Sequence, residues 1–227
     1  HRDFVPCFTP IVNPDAPNAV EVTRRMLEEG WSVLRLSMGG SEGKGLFEPR
    51  KSLAATATGL IKLREAVGPE PVLGIDYHAM FTVAEAASFC QRLPPGTLDF
   101  IEDPIHDGTP SAYRALRQMT EVPFAVGEAF TSKWDWLPYI EGDLLNLARI
   151  DIANVGGFTE AMKVAAWCEA HYIEMMPHLA ISPIQTATIV HFAAAVPNFA
   201  WMEDRHRDFR LLLEGGESSY RPPDADL

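Results

Sequence analysis

The stretch VLGIDYHAM, Val72–Met80, decides the fold. Val72, Leu73, Gly74 and Ile75 suit the interior of a sheet, and Asp76 and His78 then follow two residues apart. On a strand both side chains leave the same face, so a carboxylate and an imidazole stand together where an apolar strand stops. A single Asp at a strand end is ordinarily a turn former or a helix cap. Recurrence is what gives this one weight.

The same arrangement returns along the chain: a short apolar strand, a polar residue at its end, a turn, an amphipathic helix. The expected strands are FVPCF, SVLRLSM, VLGIDYH, LDFIED, PFAVGEA, LARIDIA, IEMMPHL and FAWMED. Helix starts lie between them. Thr82 with Glu85 reads as a capping box before VAEAASFCQRL. Thr109 with Pro110, and Ser182 with Pro183, pair an N-cap with proline at the first helical position. TEAMKVAAWCEAH carries apolar residues at helical spacing. Strands alternating with helices imply a parallel sheet with right-handed crossovers, and eight of them in this length imply an α/β fold of the TIM-barrel type. Asp76, Glu102, Glu128, Asp151, His178 and Glu203 follow one another at steps of 26, 26, 23, 27 and 25 residues. One ionisable residue per unit, each at the C-terminal end of a strand, is where such barrels keep their chemistry.

Bulk properties narrow the partners. The chain has 227 residues, 47% hydrophobic and 22% charged, enough for one large core, and a formal net charge of −12. That charge argues against nucleic acid or an anionic membrane, though a bound cation can invert the field locally for an anionic substrate. Cys7, Cys90 and Cys168 lack metal-ligand spacing and read as free thiols in a reducing compartment. The longest apolar run, around HFAAAV, is too short to cross a bilayer. The expected setting is cytoplasmic.

Carboxylates from three consecutive strands repel one another unless a cation lies between them. All-oxygen ligation suits Mg²⁺, and zinc is disfavoured by the lack of H-E-x-x-H or CxxC. The motifs GIDYH, FIEDPI, AVGEAF, RIDIANVGGFTEAMKVA, MPH and VPNFAWMED, in this order and spacing, resemble the enolase superfamily, in its mandelate racemase/muconate lactonizing enzyme branch. The chain looks most like the acid-sugar (galactonate-type) dehydratases of that branch. The resemblance implies a (β/α)7β barrel in which Asp76, Glu102 and Glu128 bind Mg²⁺, His178 is the general base with Asp151 bonded to it, and Glu203 contacts the substrate carboxylate region. His78, beside Asp76, is placed to protonate a departing β-hydroxyl. The expected reaction is removal of the proton α to a carboxylate with loss of that hydroxyl, giving a 2-keto-3-deoxy acid. The alternatives are an epimerase or racemase working through the same enediolate, and a catalytically silent barrel serving as a subunit or scaffold.

Racemase and cycloisomerase relatives carry K-x-K on the second strand, where this chain has Arg35 and Ser37. Arginine stays protonated and is a poor base; Arg35 is either a substrate-binding residue or a barrel salt bridge. Trp134 is a further substrate-binding candidate at the mouth, in TSKWDW, where packing of the following helix is the competing role. Three features depart from the family pattern: HLAISP after the base, Asp103 where a second Glu is common, and the family's N-terminal capping domain. The expected organisation is one barrel domain over residues 1–227, with the cap and a final C-terminal segment outside the chain. The partners expected are a small sugar acid and, as in many relatives, further copies of the chain. GGSEGKG, Gly39–Gly45, is not a phosphate loop, and His191 reads as a structural histidine.

Overall fold

The computed structural model describes residues 3–11, 13–37, 49–179 and 182–204. The Gly39–Gly45 loop, Ala180 and Ile181 after the base, His206 and the C-terminal RPPDADL lie outside the described residues. Strands and helices alternate as the sequence predicts: β1 (Cys7–Ile11), α1 (Ala19–Glu28), β2 (Val33–Ser37), α2 (Pro49–Val67), β3 (Val72–Asp76), α3 (Val83–Cys90), β4 (Phe100–Glu102), α4 (Pro110–Arg117), β5 (Phe124–Val126), α5 (Lys133–Ile140), β6 (Leu147–Ala148), α6 (Phe158–Ala170), β7 (Glu174–Met175), α7 (Pro183–Ala195) and β8 (Met202–Glu203). Each strand pairs in parallel with its sequence neighbour from β1 to β7, and β8 pairs with β1. A parallel bridge between Met175 and Phe199 joins β7 to the segment leading into β8 and closes the ring.

Two apolar layers hold this ring. Inside it, Phe8, Val33, Phe100, Ala125, Leu147, Met176 and Ala200 pack together, contributed by strands or strand approaches all round the barrel. Outside it, Leu34, Leu36, Leu73, Ile75, Ile101, Val126 and Ala148 meet the buried faces of the helices. Alternation along each strand makes both layers at once: in β2, Val33 and Arg35 face inward while Leu34 and Leu36 face the helices. The strands therefore need to be apolar on both faces except near their C-terminal ends, where the inward positions turn ionisable.

The helix starts follow the sequence in part. Thr82 Oγ1 accepts from the Glu85 N–H at 3.3 Å, and the Glu85 carboxylate accepts from the Thr82 N–H at 2.9 Å, a complete capping box. At α5 the Asp135 carboxylate likewise accepts from the Ser132 N–H, at 2.9 Å. At α4 and α7 the expected caps Thr109 and Ser182 make no side-chain cap bond. Pro110 and Pro183 alone start those helices, since proline fixes φ and needs no donor at the first turn. The first strand begins three residues later than FVPCF, at Cys7, because its ladder registers Thr9 with Leu34 and Cys7 with Met202.

Gly127, between β5 and Glu128, has φ 120°, and a Cβ there would overlap the indole of the fully buried Trp136. Both the backbone region and the space belong to glycine. Gly127→Ala is expected to cost about 3 kcal/mol from strain and overpacking, read as a lowered denaturant midpoint at constant slope. An unchanged midpoint would show that the β5 end relaxes freely.

Candidate active site

Ladder register brings the expected groups to one end of the barrel. Ser37 pairs with Asp76 and Asp76 with Glu102, so three consecutive strands end in one row. The Asp103 N–H donates to Ala125 O, the Arg149 N–H to Val126 O and the His178 N–H to Ile150 O, which carries the row onward to β6 and β7. Glu203 ends β8. Backbone strain collects here too: His78, Ala79 and Asp103 have φ of 46°, 58° and 35°, a region that side-chain-bearing residues enter only when their surroundings impose it.

At the base of this row lies a buried charge network. Arg35 Nη1 is 2.9 Å from Glu102 Oε2 and 3.4 Å from Asp76 Oδ2, and its Nη2 donates to Glu203 Oε1 at 3.0 Å. Arg149 Nε donates to Glu102 Oε1 at 2.5 Å and its Nη2 to Glu203 Oε2 at 2.6 Å. Each guanidinium carbon lies 5.4 Å from the ring centroid of Phe8, so the network rests on the apolar floor of the barrel. Arg35 is thus buried and salt-bridged in the barrel interior. Burial works against the charged form of Glu102, but Arg149 and Arg35 outweigh it and hold the carboxyl below its usual range.

Asp103 and Glu128 have no arginine bridge among the described residues. Oxygen atoms of Glu102, Asp103 and Glu128 lie within 4.8 Å of one another. Asp103 is buried and its Oδ1 has no hydrogen-bond partner. Burial first, then the nearby charges of Glu102, Glu128 and Asp76, push its carboxyl well above the usual range. Asp76 is raised to about 7 by burial and by Glu102, against the pull of Arg35 and His78. Asp76 and Asp103, both forced toward their protonated forms and each with an oxygen that makes no hydrogen bond, are what a hard cation would relieve. The donor set therefore fits Mg²⁺. The compact triad here is Glu102, Asp103 and Glu128, whereas Asp76, the position the family resemblance supplies, points its Oδ2 to Arg35 and to His78 Nε2 at 3.2 Å. Asp103 is the residue the sequence reading left out.

Next to Glu128, beyond the ends of β6 and β7, stands the His178–Asp151 pair. Asp151 Oδ2 is 2.9 Å from His178 Nδ1 and also accepts from Gln185 Nε2 at 2.9 Å, while Oδ1 accepts the N–H groups of Ala153 and Asn154. A carboxylate surrounded by donors can only accept, so Nδ1 carries the proton and Nε2 presents its lone pair. That Nε2 is 3.8 Å from Glu128 Oε2. Burial opposes the charge on Asp151, but the bonds from His178, Asn154 and Gln185 prevail and hold its carboxyl below the usual range. An acid lowered in the folded state adds stability that is present above its unfolded value, near pH ~4, and lost as pH falls through the folded value. The stability gap between the native chain and Asp151→Asn should therefore close below about pH 4, measured by thermal unfolding at stepped pH. A gap independent of pH would mean that the charge of Asp151 contributes nothing.

His78, 62% exposed in its side chain, has Nε2 toward Asp76 and is open to the mouth. Trp134 is 65% exposed on the first turn of α5 and stands apart from the buried network; its neighbour Trp136 fills the core instead. Lys133 pairs with Glu160 at 2.7 Å. His191, expected to be structural, is exposed on α7, because the apolar composition of that helix is not confined to one face.

A closed ring of eight parallel strands with its ionisable side chains at the C-terminal ends is a (β/α) barrel built for chemistry at that mouth. The chain matches the Enolase C-terminal domain-like family over residues 18–225 and belongs to it. A D-galactonate dehydratase family member of Paenibacillus sp. (strain JDR-2) is 29% identical over 225 residues, which cover 90% of this chain and 55% of that protein. The crystal structure of an Agrobacterium radiobacter enolase with bound sodium and L-malate is 28% identical with a TM-score of 0.79, covering 90% of this chain and 52% of that one. A Pantoea ananatis enolase bound to D-gluconate and Mg superposes with a TM-score of 0.82 at 24% identity, covering 90% and 57%, a likeness of fold. The chain spans about half the length of the relatives it matches. No helix among the described residues is long and apolar enough to cross a membrane.

Proposed function

We propose that the protein is a Mg²⁺-dependent dehydratase of a sugar acid, an aldonate or aldarate. The observation that carries this reading is the facing of two unlike groups across one mouth: a carboxylate cluster short of positive charge, and a histidine whose free Nε2 is oriented by Asp151. The naming of the Paenibacillus relative supports it. Asp76, Glu102 and Glu128 would hold the ion, with Asp103 as a fourth carboxylate beside them. Bound there, it supplies positive charge against the second negative charge that develops on a substrate carboxylate when the α-proton leaves.

The chain's own residues do the rest. His178 Nε2 takes the α-proton, and Asp151 steadies the imidazolium that results. The electron pair freed at Cα then forms a double bond to Cβ as the β-hydroxyl departs, taking a proton from His78 and leaving as water. The enol so formed picks up a solvent proton at C3 and becomes the 2-keto-3-deoxy acid. Glu203, fully buried and clamped by two arginines, sets the substrate end of the site. Trp134 remains a candidate for the outer wall. The test is a screen of aldonic and aldaric acids with the full polypeptide and Mg²⁺, following 2-keto acid formation. Product from at least one acid supports the reading. Exchange of the α-proton without elimination across the set would replace it with an epimerase, and inertness toward every acid with no Mg²⁺ bound would replace it with a silent barrel.

A further inference from the structure

Arg149 was no part of the expected site, yet its guanidinium reaches four acceptors in it. It is fully buried. Besides its bonds to Glu102 and Glu203, its Nη1 donates to the carbonyls of Met176 at 3.0 Å and Pro177 at 2.9 Å. Those carbonyls lie where the barrel's own ladder stops. Among the described residues, β7 reaches the β8 segment only around Met175, which exchanges bonds with Asn198 and Ala200. Beyond that point Met176 and Pro177 have no strand to donate to them, and buried carbonyls require a donor. The Leu179 N–H, on the far side of the base, donates to Glu203 Oε2 at 3.3 Å. The Arg149–Glu203 pair therefore holds the chain immediately before and immediately after His178.

We propose that Arg149 is a positioning residue: by spanning Glu102, Glu203 and the two carbonyls before His178, it fixes the base against the carboxylate cluster. A guanidinium suits this task because its planar fork directs several donors at once; an ammonium keeps the charge but cannot reach four acceptors in three directions. The kinetic part of the test rests on the proposed dehydratase reading, and the other parts do not.

The variant is Arg149→Lys, which retains charge compensation for Glu102 and Glu203. The first readout is the ¹H–¹⁵N signal of the His178 Nδ1–H in histidine-labelled protein, assigned by its loss in His178→Asn; it needs neither metal nor substrate. Arg149→Lys is expected to shift or broaden that signal, to weaken Mg²⁺ binding by about tenfold in calorimetry, and to lower kcat by about 10–100-fold with KM nearly unchanged. The variant is expected to stay folded with a lowered thermal midpoint, because buried acceptors of the guanidinium lose their donor. Wild-type histidine signal and Mg²⁺ affinity in the variant would overturn the proposal. Should Arg149→Lys fail to fold, the paired Arg149→Gln/Glu203→Gln variant removes both charges together, and a native His178 signal in it would overturn the proposal equally. If the native protein turns over no sugar acid, the dehydratase reading fails while the histidine signal still decides the role of Arg149.

Discussion

On the proposed dehydratase reading, His178→Asn is expected to lower turnover of the sugar acid by about 10³-fold, within the range for loss of a general base, and to leave Mg²⁺ affinity and the thermal midpoint near native values. The separation follows from the geometry. Among the described residues His178 makes one side-chain hydrogen bond, from Nδ1 to Asp151, beside the longer 3.8 Å approach of Nε2 to Glu128, and Asp151 retains Gln185 and two backbone N–H groups when that bond is lost. No buried charge is stranded, so the mechanisms that give large stability losses are not engaged. The imidazole lies at the mouth beside Glu128 rather than in the apolar floor, so Asn leaves a solvent-filled space rather than a dry cavity. Steady-state kinetics with calorimetric Mg²⁺ titration checks this. Collapse of the fold in the variant would make His178 a structural residue and remove the base from the account.

The second large effect separates two carboxylates of one cluster. Glu128→Gln is expected to abolish measurable Mg²⁺ binding while the protein stays folded, because Glu128 is only partly buried and faces His178 at 3.8 Å with no arginine bridge among the described residues. Glu102→Gln should abolish binding and also destabilise the fold by about 3–5 kcal/mol, the cost of removing one partner from a buried ion pair. Arg35 and Arg149 both lean on Glu102, and neither has water to turn to. Denaturant unfolding of the two metal-free variants distinguishes them. Equal stability would mean that the arginines are satisfied by Glu203 and Asp76 alone.

Much of this was legible in the sequence. The strand–helix alternation and the ionisable residue at six of the eight strand ends follow from periodicity, and these six positions lie at or just beyond the ends of β3 to β8, with Asp76, Glu102 and Glu203 closing β3, β4 and β8. Arg149 was open to the same rule. It sits two residues before Asp151, so on the expected strand LARIDIA both leave one face, as Asp76 and His78 do on VLGIDYH. Asp103 was hidden for a different reason. Alternation sends it away from Glu102, and only its φ of 35° returns its carboxylate to the cluster, a backbone choice no local pattern announces. Gln185 could not be read either, since its bond to Asp151 depends on how α7 docks against β6. The start of β1 was misplaced because FVPCF is the more apolar segment, whereas pairing with β2 and β8 sets the register.

The measurement that tests the central claim most directly is ¹H NMR in D₂O of the full polypeptide with a reactive sugar acid, run with Mg²⁺ and again with chelator. The account predicts loss of the α-proton signal and growth of a 2-keto-3-deoxy acid carrying deuterium at C3 with Mg²⁺, and neither change with chelator. Undiminished turnover in the presence of chelator would contradict it.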